Sequence, residues 1–213
     1  MEPTPNARTI ESYDEIAEQY ARETASETPV LRGGLDRLAE AVPGARVLEI
    51  GSGPGWDADY LEKAGLTVRR TDLTQGFIDV QRKRGKDVDR LDAINDDLGG
   101  PYDAVVCLHV LQHLEPHDLE AVLAKVAAAL QADGRFLVSI PLGHESGMET
   151  GDSGKPYYRA LRTESDFVEA LGRAGLEREW SERSNDDEES GWLAVLARLN
   201  QPRRPSIYAT MDA

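Results

Sequence analysis

The sequence predicts an α/β domain: a doubly wound, seven-stranded, mostly parallel sheet with helices on both faces and an antiparallel C-terminal hairpin. Three observations carry this. Short β-branched runs alternate with longer amphipathic patterns, the signature of a parallel sheet covered by helices. Three of the runs are compactly aliphatic (Val47, Leu48, Ile50; Val105, Val106, Leu108; Leu137, Val138, Ile140), as strands buried on both faces require. After Leu176, two strand-like segments follow each other with no helix between them.

Taken in order, Ser12 to Arg37 has helical patterning and precedes the first strand, so it is expected outside the sheet. Strands are predicted at Arg46 to Ile50, Leu66 to Thr71, Tyr102 to Leu108 and Arg135 to Ile140. Apolar residues at 119, 122, 123, 126 and 130 share one helical face, and Ala132-Asp133-Gly134 then turns the chain into the next strand. Thr163, with Asp166 three residues on, opens another helix, which buries Phe167, Leu171 and Ala174 and ends at Gly175. Pro141 to Arg162 reads as a long connecting loop that walls a ligand pocket. Leu176 to Glu182 and Trp192 to Leu199 form the hairpin, joined through a solvated acidic turn at Ser184 to Ser190. The whole chain is read as one domain over 1–213: a helical segment over 1–40, a core over 45–199 and a flexible tail over 200–213.

A length of 213 residues suits one core, and 40% apolar against 30% charged residues excludes a disordered chain. The formal net charge of −15 repels phosphate backbones and anionic lipid, so neither nucleic acid nor a membrane is an expected partner. The basic cluster Arg82, Lys83, Arg84 and Lys86 falls at a helix end, where cations have a structural use. Apolar runs such as Ala104 to Leu108 are far shorter than the roughly 20 residues that cross a bilayer. A single cysteine, Cys107, and a polar start point to the cytoplasm, and nothing in the sequence specifies an oligomeric state.

The most informative stretch is Val47-Leu48-Glu49-Ile50-Gly51-Ser52-Gly53-Pro54-Gly55-Trp56, a strand, three alternating glycines and a helix start. Missing β-carbons let the backbone turn sharply and approach a ligand, while the helix N-terminus offers unpaired N–H groups. The spacing departs from the G-x-G-x-x-G of dinucleotide-binding folds, which disfavours a nicotinamide dehydrogenase. Asp72 closes the second strand about 20 residues on, where such folds grip a ribose; it reads equally as the cap of the next helix.

These residues resemble class I S-adenosylmethionine-dependent methyltransferases of the small-molecule type, whose first motif is an acidic residue followed by G-x-G-x-G. The match is Glu49, Gly51, Gly53 and Gly55, continued by Thr71-Asp72-Leu73, Leu91-Asp92-Ala93, Tyr102 to Val106, Val110 to Leu114, Leu130 to Val138 and Leu171 to Leu176. The resemblance implies a Rossmann-like core with S-adenosylmethionine as cofactor. It implies that Glu49, Gly51, Ser52, Gly53 and Gly55 form the cofactor loop and that Asp72 holds the ribose. The adenine would lie between Leu73 and Asp92-Ala93, and the methionine end against Gly51, Gly53 and the backbone at Leu108. Tyr13 and Tyr20 resemble tyrosines that close an N-terminal lid, although their seven-residue spacing also fits ordinary packing on one helical face.

Methyl transfer from a sulfonium is an in-line displacement that chiefly needs alignment, with a base where the acceptor must lose a proton. His113 and His109, just past the strand at Tyr102 to Leu108, are the base candidates, His113 first; local backbone contacts would also account for a polar residue there. The spacing of His109, His113 and His117 invites a metal reading, but Pro116 breaks the helix that would align them, so no metal is expected. The activity implied is methylation of a small-molecule acceptor. A peptide or protein acceptor, or cofactor binding without turnover, remains open at the level of sequence.

Overall fold

The computed structural model describes residues 3–25, 31–184 and 191–200. Two helices, α1 (Pro5–Thr24) and α2 (Arg32–Ala41), precede β1 (Arg46–Ile50). There follow α3 (Trp56–Lys63), β2 (Thr67–Asp72), α4 (Gln75–Lys83), β3 (Val88–Arg90) and β4 (Tyr102–Cys107). A 3-10 turn (Leu111–His113) leads to α5 (Pro116–Ala129), β5 (Leu130–Pro141), β6 (Ser146–Thr150) and β7 (Pro156–Ala160). The chain closes with α6 (Glu164–Arg173), β8 (Leu176–Arg183) and β9 (Trp192–Leu199).

Seven strands form one sheet in the order β3-β2-β1-β4-β5-β9-β8. The β1–β2, β2–β3, β1–β4 and β4–β5 pairs are parallel, and β9 runs antiparallel to both β5 and β8. This is the expected doubly wound arrangement. Its order reverses between β1 and β4, the switch point at which open α/β sheets bind ligands.

Strand alternation divides the core between the two faces. Leu48, Val105, Phe136 and Val138 pack with Leu123, Val126 and Phe167 of α5 and α6, whereas Val47, Ala104, Val106 and Leu137 pack with Leu35, Leu38 and Leu61 of α2 and α3. The expected cap of α6 forms, with the Thr163 hydroxyl accepting from the Asp166 amide at 3.1 Å. Gly175, at φ +78°, follows the helix in the left-handed region.

Several element boundaries differ from expectation. The strand expected at Leu66 to Thr71 is Thr67–Asp72, and β4 stops at Cys107 rather than Leu108. Just beyond, His109 takes φ +58°, which a regular strand does not tolerate. The helix expected from Leu119 begins at Pro116, whose fixed φ suits a first helical position. The largest correction concerns Pro141 to Arg162, which is not a plain loop: β6 and β7 pair antiparallel within it as a separate two-stranded sheet. Two strands alone are marginal in water, and this pair is supported by α1, through Ser12 Oγ to the Pro156 carbonyl (2.6 Å) and the Tyr158 amide to Thr9 Oγ1 (2.8 Å). The acidic turn at 185–190 and the tail at 201–213 lie outside the described residues.

On its other side α1 lies on α4. Ala17 and Ala21 meet Phe77 and Val80, and the Gly76 amide donates to Asp14 Oδ1 at 2.7 Å. A β-carbon at Gly76 would stand 2.7 Å from that of Ala17, so only glycine permits this approach.

Behind the glycine loop sits a buried cation. Arg70 of β2 is 2% exposed and bonds Asp59 at 2.6 Å and Glu62 at 2.8 to 2.9 Å on α3, and Gln81 of α4 at 3.0 Å. Lys86 joins the same two carboxylates, and Arg84 pairs with Asp59. The basic cluster thus has internal structural partners. Arg70→Met should lower the unfolding free energy by about 2 to 3 kcal/mol in urea titration, below the roughly 3 to 5 of a fully buried broken pair because Glu62 stays partly solvated.

Candidate active site

A cavity of about 530 Å³ opens at the C-terminal ends of β1, β2 and β4, within the roughly 300 to 1,000 Å³ typical of small-molecule sites. Its floor is Gly51 to Pro54, Asp72 to Thr74, Leu91 to Ile94, Leu108 to Val110 and Gln112 to Leu114. Its roof comes from Asn6, Thr9, Ile10, Tyr13 and Tyr20 of α1, and Tyr157 and Arg159 of β7 and Trp192 of β9 add to the lining.

The glycine loop is left-handed at all three glycines, with φ of +69° at Gly51, +54° at Gly53 and +85° at Gly55. Its carbonyls are gripped from behind. Gln81 Nε2 donates to the Gly53 carbonyl (2.9 Å), Arg84 to that of Pro54 (2.6 Å) and Arg70 to that of Gly55 (3.2 Å). Ser52 is tied to β2, its amide and hydroxyl both donating to the Thr71 carbonyl at 2.8 and 3.0 Å. A β-carbon on Gly53 would meet nothing within 4 Å, so the cavity side of this turn is open to a ligand.

Asp72 bridges the loop to the next helix. Its Oδ2 accepts from the Gly53 amide at 2.7 Å and its Oδ1 from the Thr74 amide at 2.8 Å. Burial pushes its carboxyl above the usual carboxylate range, against these hydrogen bonds, which favour the charged form. Glu49 lies beneath the loop rather than in the cavity wall, 3% exposed, and its Oε2 has no hydrogen-bond partner among the described residues. Burial, assisted by the charge of Asp57, pushes Glu49 up to about 8. Asp57, which does line the cavity, is raised by burial to about 6.

The remaining sequence candidates fall as follows. Leu73, Asp92, Ala93 and Leu108 all line the cavity, and Gly55 is set back from it, capping α3. Asp92 steadies its own turn: Oδ1 accepts from the Ile94 and Asn95 amides and Oδ2 from the Asn95 side chain. Tyr13 and Tyr20 both reach the cavity, meeting edge to face at 6.1 Å and stacking against Phe77. Cavity wall and helix packing are therefore one arrangement.

The two histidines differ. His113 Nδ1 faces the Tyr158 carbonyl at 2.7 Å, an acceptor only, so that nitrogen carries the proton and Nε2 presents a lone pair. Nε2 lies 3.4 Å from the Tyr13 hydroxyl and 3.3 Å from Gln112 Nε2. Burial lowers His113 to about 4, so the ring is neutral at physiological pH. His109 is also lowered to about 4 by burial, but its ring packs edge-on against Trp192 at 4.3 Å. Its backbone is held by Ser139 Oγ (2.9 Å) and Gln112 (2.6 Å). His109, His113 and His117 sit on a strained loop, a 3-10 turn and α5, not on one helical face. No group of three metal-ligating side chains converges among the described residues.

Sequence reasoning missed Trp192, Gln112, Asp57 and Ile10 as wall residues. Gln112 stood inside a matched motif. Nothing local marked Trp192, which reaches the cavity only because β9 pairs with β5, setting Trp192 opposite Pro141.

The sequence model of a methyltransferase domain family matches residues 20–182. The ubiquinone biosynthesis O-methyltransferase of Xylella fastidiosa is 36% identical over 115 residues, 49% of this chain and 46% of that protein; the chain spans about half the length of the curated relatives it matches. The 1,6-didemethyltoxoflavin-N1-methyltransferase of Burkholderia thailandensis, solved with its substrate and S-adenosylhomocysteine, superposes with a TM-score of 0.71 at 20% identity, over 94% of this chain and 92% of that one. A TehB-like SAM-dependent methyltransferase of Corynebacterium glutamicum gives a TM-score of 0.66 at 26% identity, over 88% and 98% of the two chains. No helix among the described residues is long and apolar enough to cross a membrane. With the family match spanning most of its length and the doubly wound sheet beneath it, the chain belongs to the class I S-adenosylmethionine-dependent methyltransferases.

Proposed function

We propose that the cavity holds S-adenosylmethionine over the glycine loop and that the protein directs its methyl group to a small-molecule acceptor beneath α1 and β7. The observation that carries this is the meeting, in one cavity at the switch point, of the open Gly53 turn, the amide-held Asp72 carboxylate and the Nε2 lone pair of His113. The cofactor supplies an electrophilic methyl group on a sulfonium. The residues fit such a cation: Asp57, Asp72 and Asp92 line the cavity, and Glu49 Oε2 has no hydrogen-bond partner among the described residues.

In this reading Asp72, its oxygens already set by two backbone amides, accepts the ribose hydroxyls. Leu73 and Asp92-Ala93 flank the adenine, with one lone pair of Asp92 Oδ2 unused by its own turn. Gly51, Ser52, Gly53 and the Leu108 backbone face the methionine end. Tyr13 and Tyr20 form the lid that excludes water. His113 takes the acceptor's proton at Nε2 while the Tyr158 carbonyl fixes the ring. Holding acceptor and methyl in line is worth about 7 to 11 kcal/mol, so alignment is the larger part of the rate and the base adds a factor of about 100 or more. Two roofing elements leave little room for a folded protein acceptor, which favours a small molecule.

Asp72→Asn should weaken S-adenosylmethionine binding at least about tenfold by calorimetry while the protein stays folded; unchanged affinity would remove Asp72 from the ribose. His113→Phe should cut transfer of labelled methyl to a cognate acceptor about 100-fold and leave S-adenosylhomocysteine affinity within about twofold. A full rate in that variant would end the role given to His113. Cofactor association should also release protons at pH 7. Glu49, held at about 8, is mostly protonated in the empty site, and a cation bound nearby favours its carboxylate. Binding heats in phosphate and Tris buffers should differ accordingly; equal heats would place the cation away from Glu49. By the same linkage, the buried Glu49 contributes stability that is complete below about 4.5 and lost as pH rises through about 8.

A further inference from the structure

The cavity is electrically lopsided. Three carboxylates, Asp57, Asp72 and Asp92, line it, and both wall histidines are neutral. Arg159 is the lone lysine or arginine among the described residues that line it, and it is carried by β7 rather than by the sheet edge that carries Asp72. Arg159 comes from β7, where alternation sends Tyr157 and Arg159 to one side and Tyr158, 8% exposed, with Ala160 to the other. The same strand holds His113 through the Tyr158 carbonyl, and the Arg159 charge is felt at the His113 ring. One short strand therefore sets both the base and a cation beside it.

Among the described residues, the Arg159 guanidinium lies beside the Tyr157 hydroxyl and donates from Nη1 to Glu149 Oε2 at 3.3 Å, in a pair whose side chains are 29% and 40% exposed. A half-solvated contact of that length is worth little. Glu149 also accepts from the Tyr157 hydroxyl at 3.0 Å, which keeps it in place when Arg159 turns away. A guanidinium carries five donors in a planar fork suited to bidentate recognition of a carboxylate. The same cavity is lined by the aromatic and apolar side chains of Tyr13, Tyr157, Trp192 and Ile10, whose rings favour a planar ligand.

We infer that the methyl acceptor is a planar molecule bearing a carboxylate, which Arg159 captures in exchange for Glu149 while the nucleophilic atom meets His113 Nε2. This rests on the methyl-transfer reading for the role of His113, but the anion site stands on the cavity alone. The pairing also accounts for Glu149, which fills the fork with an internal carboxylate until an external one replaces it.

The test uses the full chain and four probes, benzoate and indole-3-carboxylate against their primary amides, titrated by calorimetry with and without S-adenosylhomocysteine. At least one acid should bind about tenfold or more tighter than its amide. Arg159→Gln should abolish that preference while S-adenosylhomocysteine affinity is retained, which certifies a folded site. Glu149→Gln should move the other way, strengthening the acid severalfold because the internal competitor is gone; a merely structural ion pair would not respond so. Acids and amides binding alike, a preference that survives Arg159→Gln, or no acid binding at all would each overturn the inference. Failure of S-adenosylhomocysteine to bind the unmodified protein would count against the methyl-transfer reading, while the acid preference measured without it still decides this one.

Discussion

The site depends on the grip that β2 and α4 exert on the back of the glycine loop. Three successive carbonyls, of Gly53, Pro54 and Gly55, accept from Gln81, Arg84 and Arg70. A loop of left-handed glycines has the largest conformational entropy to lose, and binding energy spent on ordering it would be lost to affinity. Here the ordering is done within the fold. Arg70 is itself locked by Asp59 and Glu62 and bonds Gln81, which ties α3, α4 and the loop together. Burial works against charge at Asp59, but hydrogen bonds from Lys86 and Arg70 hold its carboxyl below the usual value and keep the cluster ionised.

From that fixed floor the rest of the cavity is assembled by α1. The helix reaches α4 through the Gly76 amide and β7 through Ser12 and Thr9, and so joins the two. Its Tyr13 stands beside His113, whose other ring nitrogen is held by β7. His113, its tautomer and the roof are therefore coupled: displacing α1 would loosen the hairpin that orients the imidazole. Burial that keeps His109 and His113 uncharged also raises Glu49 to about 8, so Glu49 too is mostly uncharged at neutral pH.

The central sheet was legible because its signals are local. Val47, Leu48 and Ile50, and Val105 and Val106, are the aliphatic residues that a doubly covered strand buries, with Glu49 the buried exception, and alternating glycines between a strand and a helix admit few uses. β3 was harder to see, with three residues and only Val88 buried. The β6–β7 pair was missed for a different reason: Gly147, Gly151 and Gly154 give it loop composition, and its stability comes from α1, more than a hundred residues away in the chain.

By itself the sequence determined the central strands, helices α5 and α6, the C-terminal hairpin, the position of the glycine turn and the acidic residue ending β2, all of which follow from periodicity and spacing within a few tens of residues. Tertiary structure alone decided which atoms meet. The proton on His113 Nδ1 follows from a carbonyl 45 residues away, and the neighbour of Nε2 is a tyrosine 100 residues away. Arg159 and Trp192 enter the cavity through strand pairings of their own. The physical reason is that a side chain's chemistry depends on what desolvates it and what it bonds, and distant segments supply both.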